Sequence, residues 1–249
     1  QAFYGPLDEA LNRFQFPKQN KLEVYWCCGP DYLDNLSMLH SFLYHVIDCP
    51  INLISRLEKE CNGDYSFLHF STMAGFKGQI VKANASSYEK QADVFEAYTW
   101  AKKLLDCTLE NQIYSGHVMN LRLSNLITSD YATSNRKAII RLAKRLKQGE
   151  NIEVQRSANL DFIIDDQVRS ALDLIKFGSV NGKNFNLCNG HRFYLLDLLN
   201  IVKDQLNNIG IKTGVIISAG PSKTTHSYFE PADGGEKINL KRLAASVMK

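Results

Sequence analysis

Tyr98 and Lys102 stand four residues apart in Phe95-Glu-Ala-Tyr-Thr-Trp-Ala-Lys-Lys-Leu-Leu-Asp106, a stretch that reads as a helix. Residues at this spacing stack on one helix face, so the Lys102 ammonium is expected beside the Tyr98 phenol. A free tyrosine titrates near ~10, and a neighbouring cation favours the phenolate, each tenfold gain in acidity corresponding to about 1.4 kcal/mol. Tyr98 would then give or take a proton near neutral pH. The spacing alone also arises by chance, and then usually marks a solvated tyrosine beside an exposed lysine.

Two strands must position such a pair. Upstream, Asp64-Tyr-Ser-Phe-Leu-His-Phe-Ser-Thr72 alternates towards two hydroxyls and leads into Met73-Ala-Gly-Phe-Lys-Gly78. That pattern predicts a buried strand running into a glycine-containing loop. Downstream, Gly116-His-Val-Met-Asn-Leu-Arg-Leu-Ser-Asn125 predicts a second strand with a polar end.

A strand ending in Ser-Thr, a Tyr-x-x-x-Lys helix and a strand ending in Arg-Leu-Ser-Asn resemble, in this order, the extended short-chain dehydrogenase/reductase superfamily. The likeness is to its NAD-dependent epimerase/dehydratase branch. Further segments carry it from about Leu22 to Val202. Leu22-Glu-Val-Tyr-Trp-Cys-Cys-Gly29 is similar to the family's cofactor-side strand with small residues at its end. Arg122-Leu-Ser-Asn-Leu-Ile127 resembles Arg-x-x-Asn-Val-Tyr, and Leu160-Asp-Phe-Ile-Ile-Asp-Asp-Gln-Val168 resembles Asp-Phe-Ile-x-Val-x-Asp-Val. Asn184-Phe-Asn-Leu-Cys-Asn-Gly190 and the apolar helix expected over Phe193 to Val202 resemble the family's late Asn-x-Gly-x-Gly segment.

One departure is large. Family members open with a strand, a Gly-x-x-Gly-x-x-Gly turn and a helix whose N-terminus holds the cofactor pyrophosphate. This chain has only Gly5 and Gly29 in its first sixty residues, begins with Gln1, and at Phe3 to Phe14 already resembles the loop and helix preceding the Trp26 strand. The expectation is a sequence that starts after the first two or three strands of the usual sheet, as a fragment or truncated product. A natural short form that has lost dinucleotide binding is the other reading.

The resemblance implies an α/β fold, a doubly wound, mainly parallel Rossmann-like sheet, N-terminally incomplete, with a smaller C-terminal substrate lobe. It divides the chain into a partial cofactor domain over 1–127 and a lobe over 128–249, with elements from about 184–208 returning to the main sheet. It implies NAD or NADP as cofactor and a nucleotide-activated sugar as substrate. Tyr98 would be the acid/base, and Lys102 would lower the Tyr98 pKa and hold the nicotinamide ribose. Thr72 or its neighbour Ser71 would hydrogen-bond the reacting hydroxyl, each having a strand-end cap as its alternative role. Cys27, Cys28 and Gly29 would run beside the cofactor, Leu126 and Ile127 would lie near the nicotinamide, and Asn125 would touch the sugar. Leu160 stands where the family often has an arginine, so Arg156 or Arg192 would have to meet the diphosphate. Arg122 reads as structural, tying the strand end to carboxylates.

Met73 and Ala74 follow Thr72 where dehydratases carry an acidic residue, which favours an epimerase or a keto-sugar reductase. The rival reading is a truncated, non-catalytic sugar-binding or structural remnant of the same fold. A homodimer through the Tyr98 helix is the family's usual assembly.

Composition sets wider bounds. The chain has 249 residues, 45% of them apolar, and a net charge of +3. That allows a substantial core and gives no broad electrostatic field. The basic residues cluster only in the helix expected over Asn135 to Gln148, where Ile139, Ile140, Leu142, Ala143 and Leu146 mark one face, and a solvated opposite face is expected rather than a nucleic-acid or membrane surface. No run is long and apolar enough to span a bilayer, and no signal-like start is present. The six cysteines lack disulfide or metal spacing and point to a reducing, cytoplasmic setting. No metal site is expected, and His69, inside the Phe67-to-Phe70 run, reads as a packed core residue rather than a ligand or base.

Overall fold

The alternating run before Thr72 forms the centre of a sheet. The computed structural model describes residues 15–16, 21–27, 39–73, 94–127, 138–155, 159–176, 183–190, 193–219, 241 and 244–245. Contacts divide the chain into two units, one of Gln1–Arg122 with Gly182–Phe185, the other of Leu123–Asn181 with Asn186–Lys249.

In the first unit, β1 (Leu22–Trp26) lies parallel to β2 (Tyr65–Thr72), with Leu22 opposite Tyr65 and Trp26 opposite His69. The sheet order is β1-β2-β3-β8, where β3 is His117–Leu123 and β8 is Asn184–Leu187. Between β1 and β2 the described residues include α1 (Leu39–Leu43), a π-helical turn (Tyr44–Asp48) and α2 (Cys49–Glu60). The π turn runs directly into Cys49 and Pro50 at the start of α2. Its local cause is Pro50, which has no N–H to give the Val46 carbonyl. Asn62 and Gly63 then take positive φ, 46° and 86°, and turn the chain into β2.

One side of the sheet is apolar. Cys49, Leu53, Ile54 and Leu57 of α2 meet Tyr65 and Phe67 of β2, Trp26 of β1, and Leu105 and Leu109 of α3 (Val94–Asn111). A Cβ at Gly116, just before β3, would come within 2.5 Å of the Tyr65 ring, so only glycine lets that ring lie against the backbone. Tyr65 Oη donates to Glu58, whose Oε1 also accepts the Ser115 N–H at 2.8 Å. Lys183 closes the far end of α3, its Nζ 2.7 Å from the Glu110 carbonyl oxygen, which satisfies a terminal acceptor and complements the helix dipole.

The second unit packs α4 (Ala138–Lys147) and α6 (Leu195–Asn208) on short strand pairs. These are β4 (Asn125–Ile127) parallel to β7 (Phe162–Ile164), β5 (Ile152–Gln155) parallel to β10 (Ile216–Ala219), and β6 (Asn159–Leu160) antiparallel to β9 (Phe193–Tyr194). Helix α5 (Asp165–Lys176) follows β7 directly. Ile139, Ile140, Ala143 and Leu146 of α4 enter the core with Leu198, Leu199 and Val202 of α6, the face the sequence marked as apolar. The helix expected from Phe193 begins instead at Leu195, because Phe193 and Tyr194 pair with Leu160 and Asn159. Asn184–Leu187 joins the main sheet, whereas Leu195–Asn208 belongs to the second unit.

Candidate active site

In β2, period-two alternation sends Tyr65, Phe67, His69 and Ser71 to the face that meets α3, and all four are buried. From α3 the helical period brings Lys102 and Asp106 onto one stripe, and both are buried. The two stripes meet. Lys102, only 1% exposed, donates from Nζ to the Phe70 carbonyl oxygen at 2.8 Å and stands 3.1 Å from His69 Nε2.

These distances fix the tautomer by elimination. An ammonium offers only donors, so Nε2 must accept and the ring proton must sit on Nδ1. That nitrogen lies 3.2 Å from both Asn120 Oδ1 and Asp106 Oδ1, with its N–H given to Asn120 and the carboxylate charge close beside it. Asp106 Oδ2 accepts from Arg122 Nε at 2.9 Å, and the guanidinium also reaches Glu110 Oε2 at 3.6 Å. Asn120 donates through Nδ2 to Asn184 Oδ1 at 2.9 Å, which extends the network to β8.

The electrostatics follow. Burial pushes the His69 pKa down, the Lys102 ammonium adds to this, and the Asp106 carboxylate only partly opposes it. His69 is therefore neutral around pH 7. Burial alone would push the Asp106 carboxyl up, but the nearby His69, Arg122 and Ser71 outweigh it and hold the carboxyl below its ordinary value. The interior of this unit thus carries Lys102 and Arg122 as cations, Asp106 as an anion, and a neutral imidazole between Lys102 and Asp106.

Tyr98 lies one turn before Lys102 on α3 and is half-buried. Its ring packs with Phe42, centroids 6.2 Å apart and planes tilted by 51°, in a small cluster with Val46 and Ala101. The two strand-end hydroxyls part company: Ser71 faces the α3 network, while Thr72, on the opposite parity, keeps exposed surface.

No protein-family model matches the chain, and no curated protein matches it. Solved structures do. UDP-glucose 4-epimerase from Thermotoga maritima, with UDP-glucose, superposes with a TM-score of 0.66 at 16% identity, over 91% of this chain and 76% of that one. The Bordetella bronchiseptica enzyme WbmG, in complex with NAD and UDP, gives a TM-score of 0.66 at 16% identity, over 91% and 71%. GDP-mannoheptose C4 reductase from Campylobacter jejuni, with NADP bound, gives 0.59 at 18% identity, over 91% and 80%. The chain shares the α/β fold of these structures. In open α/β sheets of this Rossmann-like kind, ligands are met outside the carboxyl ends of the strands.

Tyr98, Lys102, Ser71 and Thr72 all belong to the first unit, on α3 and at the carboxyl end of β2. Cys27 follows the carboxyl end of β1 and is exposed, while Cys28, Gly29, Arg156 and Arg192 lie outside the described residues. Asn125, Leu126 and Ile127 form β4 in the second unit. Asn125 Nδ2 donates to the Asp161 carbonyl oxygen at 2.9 Å, and the Ile127 side chain is sealed in that unit's core. Asp161 Oδ1 accepts the Asn189 N–H at 2.9 Å.

Arg122 ties the end of β3 to Asp106 and Glu110, the structural role its sequence context indicated. His69 is packed in the core, as its surroundings in the sequence suggested, but it is wired to charge on both sides. Asp106 and Asn120 were not singled out in the sequence. The spacing from Lys102 to Asp106, four residues on a helix, was the signal that could have found the first. No group of three or more metal-ligating side chains occurs among the described residues, and no described helix is long and apolar enough to cross a membrane.

Proposed function

We propose that this chain carries the proton-transfer half of an NAD(P)-dependent epimerase or keto-reductase acting on a nucleotide-activated sugar. The observation that carries the reading is the buried Lys102 ammonium, held by the Phe70 carbonyl at the end of β2 and one helical turn from Tyr98. A cation there favours the phenolate, which is what a proton acceptor at this position requires. Tyr98 Oη takes the proton from the sugar hydroxyl on oxidation and returns it on reduction. Thr72, the strand-end hydroxyl with exposed surface, orients that hydroxyl, and Ser71 supports the network behind it.

Cys27, small and exposed just past β1, is the group proposed beside the nicotinamide-ribose part of a dinucleotide, with the buried Lys102 charge acting through Tyr98. NAD or NADP would supply the hydride acceptor or donor. The absence of an acidic residue at Met73 and Ala74 supports epimerisation or reduction over dehydration. A homodimer through α3 is part of the proposal, and exposed Trp100 (68%) and Leu104 (55%), one turn apart on that helix, support it.

The test is calorimetric titration of NAD, NADP and their reduced forms into this chain and into the longest natural form that contains it, followed by turnover of UDP- and GDP-sugars. Tyr98→Phe is expected to lower turnover by about 10²- to 10⁴-fold with cofactor binding retained. Absence of cofactor binding by either form would leave the sugar-binding or structural remnant as the reading.

A further inference from the structure

We propose that His69 is a positioning residue for Lys102: its Nε2 lone pair fixes the ammonium beside β2, and its Nδ1 proton anchors the ring to Asp106 and Asn120. This rests on the proposed acid/base role of Tyr98 and Lys102. The argument begins with the reach of lysine. Its four-carbon stem is flexible, and an ammonium has no preferred plane, so acceptors must define where Nζ sits. Two are supplied by adjacent residues of one strand, Phe70 through its carbonyl at 2.8 Å and His69 through its ring at 3.1 Å.

The ring is itself immobilised. Asp106 from α3 and Asn120 from β3 both meet Nδ1 at 3.2 Å, and Arg122 holds the Asp106 carboxylate from β3 at 2.9 Å. Lys102, Asp106, Asn120, Ser71 and Arg122 are the charged and polar groups gathered round the imidazole, directly or through Asp106. Each ring nitrogen has one role, and the two roles are not interchangeable. If the proton moved to Nε2, an N–H would face an ammonium. If both nitrogens were protonated, Lys102 would lose an acceptor and gain a like charge. The neutral Nδ1–H form is therefore the one that keeps Lys102 in place.

This asymmetry gives a clean test, because two conservative substitutions each keep half of the ring's function. His69→Gln places an amide oxygen near the Nε2 position, where it can accept from Lys102. His69→Asn places its amide near the Nδ1 position and leaves Lys102 short of an acceptor. We would label lysine Cε with 13C and follow the Lys102 signal by NMR across pH in the parent chain and both variants. Unfolding would be followed in parallel, and the pH profile of turnover recorded wherever turnover is present.

The expected result is a Lys102 titration in His69→Asn whose midpoint falls by at least about one pH unit, a tenfold change in proton affinity, with His69→Gln close to the parent. Equal titrations in all three proteins overturn the inference, as do equal shifts in both variants. The NMR titration does not require catalysis. A selective shift without turnover in any form supports the positioning role and removes the dehydrogenase reading, whereas turnover with no selective shift retains that reading and removes this inference.

Discussion

Replacing Asp106 by asparagine changes one oxygen for one NH2 group at a site with no exposed surface. The carboxylate accepts from Arg122 on one oxygen at 2.9 Å, and its other oxygen lies 3.2 Å from His69 Nδ1. An amide can present its oxygen to only one of them. Turned towards Arg122, its NH2 faces the His69 Nδ1 proton. Turned towards His69, it faces the guanidinium.

Either orientation leaves a buried donor against a donor and takes from Arg122 the nearer of its two carboxylates, Glu110 remaining at 3.6 Å. The unmet donor costs about 1–3 kcal/mol, and the loss of a charge-assisted bond adds a similar amount. The total expected is about 3–5 kcal/mol, the range for a buried ion pair broken from one side. Urea unfolding at pH 7, read by tryptophan fluorescence and far-UV circular dichroism, should show the midpoint falling with an unchanged slope. A loss below about 1 kcal/mol would refute the reasoning.

The same pair predicts its own pH dependence. The folded Asp106 pKa lies below the unfolded value of ~3.9, so its contribution is complete above that value and is lost as pH falls through the folded pKa. The parent's advantage over Asp106→Asn should therefore shrink only in strong acid.

Further expectations concern other groups. His69 has a folded pKa below ~6.5, so the unfolded chain binds the extra proton first, and parent stability should begin to fall below about pH 6.5, by at most about 1.4 kcal/mol per pH unit from this residue. His69→Gln should flatten that part of the curve, which denaturant titrations at several pH values would measure. Gly116→Ala forces a methyl to within 2.5 Å of the Tyr65 ring and should cost about 1–3 kcal/mol in thermal unfolding. Burial, helped by the Asp161 charge, pushes the Cys188 thiol up to about 11. Timed alkylation with peptide mapping should find Cys27 and Cys107 modified in the native state, with Cys188 and Cys49 protected until unfolding.

The sheet-forming strands were legible because their residues alternate or run apolar over five residues or more. Leu22 to Trp26, Tyr65 to Thr72 and His117 to Leu123 all lie within a few residues of where pattern placed them. The two-residue strands β6 and β9 were not legible, since Asn159, Leu160, Phe193 and Tyr194 show no period and exist as strands only through each other. The π turn was hidden for a different reason: Pro50 marks a break in helical bonding without saying how the break is accommodated. At the site, helical spacing put Tyr98 and Lys102 one turn apart, whereas the sequence left Ser71 and Thr72 undivided and the β2 pairing separates them by face. The link from Lys102 to His69 is a tertiary contact between residues 33 apart in sequence, and no local rule contains it.

The place of β8 at the end of the main sheet reaches beyond packing, into the order in which the chain acquires its structure. Asn120 and Asn184, which bond across the β3–β8 pair, are 64 residues apart, and most of the intervening sequence belongs to the second unit. As the chain leaves the ribosome, β1, β2, α3 and β3 are all made before the strand that covers the outer side of β3 exists. For that interval β3 presents an unpaired edge rich in Val118, Met119 and Leu121, the kind of surface that recruits other chains. Closure of so long a loop also slows the final pairing. Yield during synthesis should therefore depend more on how quickly residues 183–187 are delivered to β3 than on the stability of the finished fold.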